Sequence, residues 1–438
     1  MIPYLPTTES DRQAMLGAIG VKSVDDLFAD IPKEFRDPAL NLPAPLSELE
    51  LKRELQRKAA KNANGDEWAY FLGAGSYRHF IPSVVWNLVK RSEFLTAYTP
   101  YQPEISQGVL QASYEFQSLC CQLLNMEVAN LGMYDGATAF AEAALMACRL
   151  TKRSAVRALS TVSPRYIEVL RTYAVPQGIS VEIVEAETAR GGPEVACLMV
   201  QSPNFHGQIE EMERLAKATH GEGSLFVVST DPIAMGLLRP PGDYGADIAV
   251  AEGQSLGVPM SFGGPYVGIF TCKSAHLRQM PGRIVGKTVD GKGTTGYVLT
   301  LQTREQHIRR ERATSNICTS ETLIAIANAV YMAALGKWGM RRVAELCYHK
   351  AHYAASQIAQ IPGYAVASGG VFFKEFVVRC PVSPSEINKS LRARKIVGGL
   401  DISSGRAPNS MLVCVTEVNT KGEIDSLVEG LREAAHGR

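Results

Sequence analysis

From residue 129 onward, short apolar runs alternate with amphipathic stretches. Runs at 155–161, 179–185, 197–201, 225–229, 248–250 and 266–271 have the length and continuous apolar character of strands buried on both faces. The stretches between them, at 136–149, 163–173 and 209–220, carry the spacing of helices with one apolar stripe. This alternation predicts an α/β fold whose sheet is largely parallel and doubly wound, with right-handed crossovers. A helical stretch from 321 to about 335 follows, broken near Gly336 and Gly339 and resuming over 340–360. Beyond Pro362-Gly363, strands at 371–378 and 411–415 surround helices at 385–394 and 423–433, the pattern of a compact α+β domain. The first 60 residues read differently. They hold short helices at 10–19 and 24–30, a Pro-rich span at 32–45 and a charged helix at 51–60 that Ser47 can cap. The expected plan is an arm over 1–60, a large α/β domain over 61–319, and a linking helix with a smaller α+β domain over 320–438.

Composition narrows the class. Of the 438 residues, 46% are hydrophobic and 20% charged, enough for sizeable cores and too apolar for general disorder. The 45 basic and 44 acidic residues leave a net charge of +1, without the basic excess of a nucleic-acid binder. Residues 1–12 contain no apolar signal core, and no window approaches 18 uninterrupted apolar residues, so neither a signal peptide nor a membrane span is expected. The nine cysteines include no CxxC pair and no zinc spacing. Cys148, Cys197, Cys380 and Cys414 sit in apolar runs as free thiols would. A reduced, cytoplasmic protein without a metal is the expectation.

Three constellations could carry chemistry. Asp135-Gly136-Ala137-Thr138 opens a helix, where free N–H groups can hold an anion or where Asp135 simply caps. Asp231 ends an apolar strand, where it can face a protonated ring nitrogen or start a turn with Pro232. Glu252-Gly253-Gln254-Ser255-Leu256-Gly257, followed by Phe262-Gly263-Gly264-Pro265, lies at the end of another strand. In this order the three resemble the layout of fold type I enzymes that use pyridoxal 5'-phosphate (PLP). Such an enzyme holds its cofactor on a lysine in the third element, and none lies between Lys217 and Lys273. Lys273 itself reads as a solvated residue at a helix start.

Longer motifs identify a family. They are Phe71-Leu72-Gly73-Ala74-Gly75-Ser76-Tyr77-Arg78-His79, then 94–104 (FLTAYTPYQPE), 107–111 (GQ-rich QGVLQ), 253–257 (GQSLG) and 313–318 (ATSNIC). With these the chain resembles, over its full length, the α subunit of two-subunit P-proteins of the glycine cleavage system. The resemblance implies the PLP-dependent transferase fold of type I. It also implies a partner β subunit that carries PLP on its own lysine, in an αβ heterodimer or heterotetramer. Glycine would be decarboxylated and its aminomethyl group passed to the lipoyl arm of H-protein, in a system that includes an aminomethyltransferase and a dihydrolipoyl dehydrogenase. Matching the family's Gly-rich turn to 262–265 places Gln254 where the lysine would stand, leaving Gly136, Ala137, Thr138 and Asp231 as a vestigial cofactor pocket with no covalent cofactor.

The same resemblance makes Tyr98, Tyr101 and Glu104 the residues contributed to the partner's site. Pro100 and Pro103 stiffen this segment, and its phenols can hydrogen-bond a cofactor or substrate oxygen or merely pack at a subunit contact. Arg309, Arg310 and Arg312 can face an acidic carrier or form a solvated basic face. Two further readings stay open: a structural or regulatory subunit with a vestigial pocket, and a stand-alone PLP enzyme, which the missing lysine opposes.

Overall fold

The computed structural model describes Tyr4 and residues 6–367, 370–405 and 407–436. The chain divides into two compact units, residues 1–62 and 63–438. In the first, Thr8 and Asp11 form a capping box on the Glu9–Ile19 helix, which ends at Gly20 in the left-handed conformation. Ser47 and Glu50 form a second box on the Glu48–Ala59 helix. The helix expected at 24–30 is only a 3-10 turn, Asp25–Phe28. With Pro32 just downstream, the segment is too short to offset the cost of helix nucleation. Phe35, Leu40 and Leu42 are more than two-thirds exposed.

The second unit is built on a seven-stranded sheet. Its strands are β1 (Val128–Ala129), β2 (Ala155–Leu159), β3 (Ser180–Val184), β4 (Val195–Gln201), β5 (Leu225–Thr230), β6 (Ile248–Glu252) and β7 (Gly268–Cys272), in the spatial order β1-β7-β6-β5-β4-β2-β3. Strands β2 to β6 run parallel, and β7 is antiparallel to both of its neighbours. The apolar run at 197–200 is fully buried, as a central strand covered on both faces requires. The Gly136–Thr151 helix contributes Ala139, Phe140, Ala143 and Ala144 to the same core. Lys273 does precede a 3-10 turn, Ser274–Gln279, but it is not simply solvated: its ammonium lies 2.6 Å from the Asp247 carboxylate, itself buried. The helix Gln107–Leu124 and the antiparallel hairpin of Ile284–Val289 with Thr295–Thr300 complete this part.

A second core forms around a four-stranded antiparallel sheet of Ala365–Val366, Glu375–Arg379, Ser410–Cys414 and Leu400–Asp401. Ala69–Tyr70 pairs in parallel with Ile396–Val397, and Phe71 is buried in this second core, far in sequence from its other members. The Thr322–Ile358 helix joins the two cores. Ile324, Ala327 and Tyr331 lie in the first, and Ala351, Ala354 and Ile358 in the second. It breaks at Gly336, whose φ of 59° and ψ of −175° belong to a region that essentially only glycine occupies. By length and composition this helix could cross a membrane, but half of its most apolar window is buried inside the fold.

A buried polar cluster ties the second core to residues 77–80. His79 Nδ1 is 2.6 Å from Glu417, whose other oxygen accepts the Phe80 N–H at 2.6 Å. Cys347 donates to Glu417 at 3.4 Å, and Lys350 binds the carbonyls of Glu417 and Asn419. Burial would raise the Glu417 pKa, but the His79 contact and the Phe80 N–H outweigh it and hold it at about 2. A folded-state pKa below the ordinary carboxylate value gives stability that is present above about pH 4.5 and lost as the pH falls toward 2. We expect Glu417→Gln to cost about 1–3 kcal/mol at pH 7, because it weakens the buried hydrogen bonds from His79 and the Phe80 N–H. Urea unfolding of both proteins between pH 7 and pH 3 checks this: the gap between them should narrow as the pH falls, and a gap independent of pH would contradict it.

Candidate active site

Strand ends place the site. β5 delivers Asp231 and β6 delivers Glu252 and Gln254 to the carboxyl edge of the parallel sheet, where open α/β sheets hold their ligands. Asn328, on the long helix and fully buried, donates to the carbonyls of Gly253 and Leu256 at 3.0 and 2.9 Å and so fixes the loop that carries Gln254. Over this edge lie the 73–79 loop and the start of the Glu375–Arg379 strand. Together Tyr77, Asp231, Glu252, Gln254, Lys374 and Glu375 line a cavity of about 50 Å³.

Lys374 is the central group. Only 2% of its side chain is exposed, and its ammonium sits 2.6 Å from Asp231 Oδ2 and 3.5 Å from the centre of the Tyr77 ring. Burial disfavours the charged amine, but the Asp231 carboxylate more than compensates and holds its pKa above the ordinary lysine value. Asp231 also starts the turn that its Pro232 suggested, with Oδ1 accepting the Ile233 N–H at 2.9 Å. Lys374 Nζ is 3.1 Å from His79 Nε2. An ammonium can only donate, so Nε2 accepts and Nδ1 carries the proton offered to Glu417. Beside it the Tyr77 phenol donates to Glu375 at 2.8 Å, and the same carboxylate accepts the Ala74 N–H at 2.6 Å. Burial pushes the Tyr77 phenol far above its ordinary value and raises Glu375 as well.

The two remaining vestigial-pocket elements are equally engaged. Gln254, 1% exposed, exchanges paired hydrogen bonds with the Tyr77 backbone, both at 2.9 Å, and donates to the Val258 carbonyl at 2.8 Å. At the start of the Gly136–Thr151 helix, Asp135 caps the Thr138 N–H at 2.7 Å, and Glu252 accepts the Gly136 N–H at 2.8 Å. Burial pushes Glu252 up to about 8 despite the N–H groups of Gly136 and Gln254 that it accepts. Asp135 therefore caps this turn, while Ala137 is only half-buried and outside the cavity lining.

PLP needs a phosphate seat, a carboxylate free for its ring nitrogen, and an amine. These residues do not fit it. The helix N–H is taken by Glu252, Asp231 by Lys374, and the strand-end position is a carboxamide. A Cβ on Gly136 would stand 2.3 Å from the Tyr166 hydroxyl, so only glycine fits where the helix starts against Glu252.

Tyr98, Tyr101 and Glu104 lie elsewhere, outside this cavity. Tyr98 is 72% exposed, with its hydroxyl 3.4 Å from Thr319. Tyr101 is 41% exposed and accepts a 2.5 Å hydrogen bond from Arg283, whose guanidinium also binds the Cys318 carbonyl and lies 5.2 Å over the Tyr101 ring. Arg283 is buried and within ion-pair distance of Glu305. Tyr98 thus reaches Thr319, and Tyr101 reaches Arg283, which in turn holds the Cys318 carbonyl at the end of the 313–318 motif. Glu104 stands on the Pro103–Ile105 turn with an exposed side chain and does not join them. Arg309, Arg310 and Arg312 are exposed.

Sequence reasoning missed Lys374, Glu375, Tyr77 and Arg283 as functional neighbours. The signal for the first two was present: a Lys-Glu pair inside the apolar run VFFKEFVV, where a charge must find a partner. Nothing local marked Arg283.

The glycine cleavage system P-protein family model matches residues 3–431. A chain from Thermomicrobium roseum named probable glycine dehydrogenase (decarboxylating) subunit 1 is 52% identical, covering 98% of this chain and 99% of that one. A protein of the same name from Desulfitobacterium hafniense is 50% identical with the same coverage. The crystal structure of a glycine decarboxylase (P-protein) of the glycine cleavage system, in inhibitor-bound form, superposes with a TM-score of 0.92 at 44% identity, over 98% of this chain and 99% of that one. A sphingosine-1-phosphate lyase of Burkholderia pseudomallei, at 15% identity and a TM-score of 0.62 over 92% of this chain and 93% of its own, shares the fold. The fold is that of PLP-dependent enzymes of type I, and the chain belongs to the glycine cleavage system P-protein family.

Proposed function

We propose that this chain is the α subunit of a two-subunit glycine dehydrogenase (decarboxylating), an oxidoreductase that acts in glycine catabolism in the cytoplasm. Its β partner holds PLP on a lysine, and the pair decarboxylates glycine and loads the aminomethyl group onto lipoylated H-protein. An aminomethyltransferase and dihydrolipoyl dehydrogenase complete the cycle. The observation that carries this reading is Gln254: at the strand end where a fold type I enzyme places its cofactor lysine, this chain has a carboxamide tied to the Tyr77 backbone. Chemistry that needs an amine there belongs to another chain.

Tyr98, Tyr101 and Glu104 are this chain's contribution to the partner's site. Exposure of both phenols, with Arg283 anchoring one of them, supports presentation to a neighbour over packing within the fold. Exposed Arg309, Arg310 and Arg312 suit an acidic carrier surface. The 1–60 arm, with its exposed Phe35, Leu40 and Leu42, suits a subunit contact, because apolar side chains left in water gain from a partner. A purely structural subunit is the rival reading, and the tyrosines decide between them.

Tyr98→Phe and Tyr101→Phe keep the ring and remove the hydroxyl. Losing a hydrogen bond made in the transition state costs about 1–3 kcal/mol, roughly 5- to 150-fold in rate. Glycine-dependent CO₂ exchange, measured on αβ complexes of confirmed stoichiometry, should fall by that factor while assembly is unchanged. Full turnover in both variants would leave the pair structural.

Deleting residues 1–45 should weaken association with the β subunit more than it lowers the thermal stability of the isolated chain. Analytical ultracentrifugation and thermal unfolding of the same preparations compare the two, and the opposite ranking would assign the arm to this chain's own fold.

A further inference from the structure

In a fold type I site, PLP presents three distinct groups to the protein: a phosphate, a protonated ring nitrogen and an aldehyde carbon. At each of the three places this chain offers a side chain of its own. The Glu252 carboxyl occupies the helix N-terminus, accepting the Gly136 N–H at 2.8 Å. The Lys374 ammonium occupies the Asp231 carboxylate at 2.6 Å. The Gln254 carboxamide fills the strand end, bonded on both edges to backbone. We infer that Glu252, Lys374 and Gln254 together act as an internal substitute for PLP, closing this chain's own pocket to the cofactor and bracing the elements that a bound cofactor would brace.

The chemistry matches place by place. A carboxyl and a phosphate both offer oxygens to a helix N-terminus. An ammonium and a pyridinium N–H both donate a charged hydrogen bond to an aspartate. Lys374 meets three elements at once: Asp231 at the end of β5, the face of Tyr77 in the 73–79 loop, and His79 Nε2. Through His79 it reaches Glu417 and the second core. Tyr77 in turn is held on Gln254 by its backbone and on Glu375 by its phenol. The pocket is therefore a strut between the two cores, made of the groups that exclude the ligand. This inference concerns cofactor occupancy of this chain alone and holds or fails independently of the tyrosine contribution proposed above.

The test uses the full chain without its partner. Pyridoxine 5'-phosphate, which has no aldehyde and so ignores surface lysines, is titrated calorimetrically and in thermal unfolding. Wild type should show no saturable binding and no shift in unfolding midpoint. Glu252→Ala/Lys374→Ala, which frees both anchors, should unfold at lower temperature and be rescued by pyridoxine 5'-phosphate in a concentration-dependent way. With PLP followed by borohydride, Gln254→Lys alone should carry no adduct at position 254 by peptide mass mapping. Combined with Glu252→Ala/Lys374→Ala, it should carry close to one equivalent. Saturable one-to-one binding by wild type overturns the inference, as does stoichiometric labelling of Gln254→Lys alone, or a folded double variant that binds nothing. If the multiple variants do not fold, wild type and Gln254→Lys still decide it, because either one accepting the ligand shows the pocket open.

Discussion

An ammonium group removed from water loses far more hydration energy than a protein interior returns, unless a carboxylate meets it at contact distance and its remaining protons find acceptors. Lys374 satisfies both conditions, with Asp231 at 2.6 Å and the His79 ring and the Tyr77 π-face around it. Much of the surrounding architecture can be read as what that charge requires. Asp231 must sit at the end of β5 and not turn away. Tyr77 must lie flat over the amine, which requires the 73–79 loop to close down. Gly73 lies in that loop because a Cβ there would meet Glu375 Oε1 at 2.3 Å. Replacing any one member exposes the others to the cost of an unpaired buried charge, so the cluster holds or fails as a unit.

A fold that usually encloses a cofactor has thus kept its frame while changing what fills it. The sheet edge, the helix N-terminus and the loop over them are all present. The amine is supplied by the second core instead of by the strand-end loop, and it points at the aspartate. The tyrosines lie outside this cluster, Tyr98 against Thr319 and Tyr101 against Arg283. One polar cluster therefore ties the two cores together, while Tyr98 and Tyr101 stay exposed outside it.

Most of the sheet was legible from the chain because continuous apolar runs such as 197–201 and 225–229 have few alternatives to a covered strand. The Gly336 break and the Ser47 cap were equally local signals. The helix at 24–30 failed because periodicity over seven residues does not repay nucleation. Position 254 could be placed only by matching the Gly-rich turn of the family that the chain resembles to 262–265. Its partners could not, because Tyr77 and Gln254 are separated by 177 residues and Lys374 and His79 by 295. Pairings at such distances follow from topology, which no local window contains.

The contact between Arg283 and Tyr101 gives the phenol a direction. A guanidinium has hydrogens and no lone pair to offer, so the Tyr101 oxygen must act as acceptor toward it. The phenolic hydrogen is then left to point away from Arg283, on a side chain still 41% exposed. Whatever group approaches from outside meets a donor already polarised by a cation behind it, and an approaching donor meets an oxygen whose lone pair is partly spent. A tyrosine that could serve either way in isolation has become selective for acceptors, and the choice is made by an arginine buried in this chain before any partner arrives.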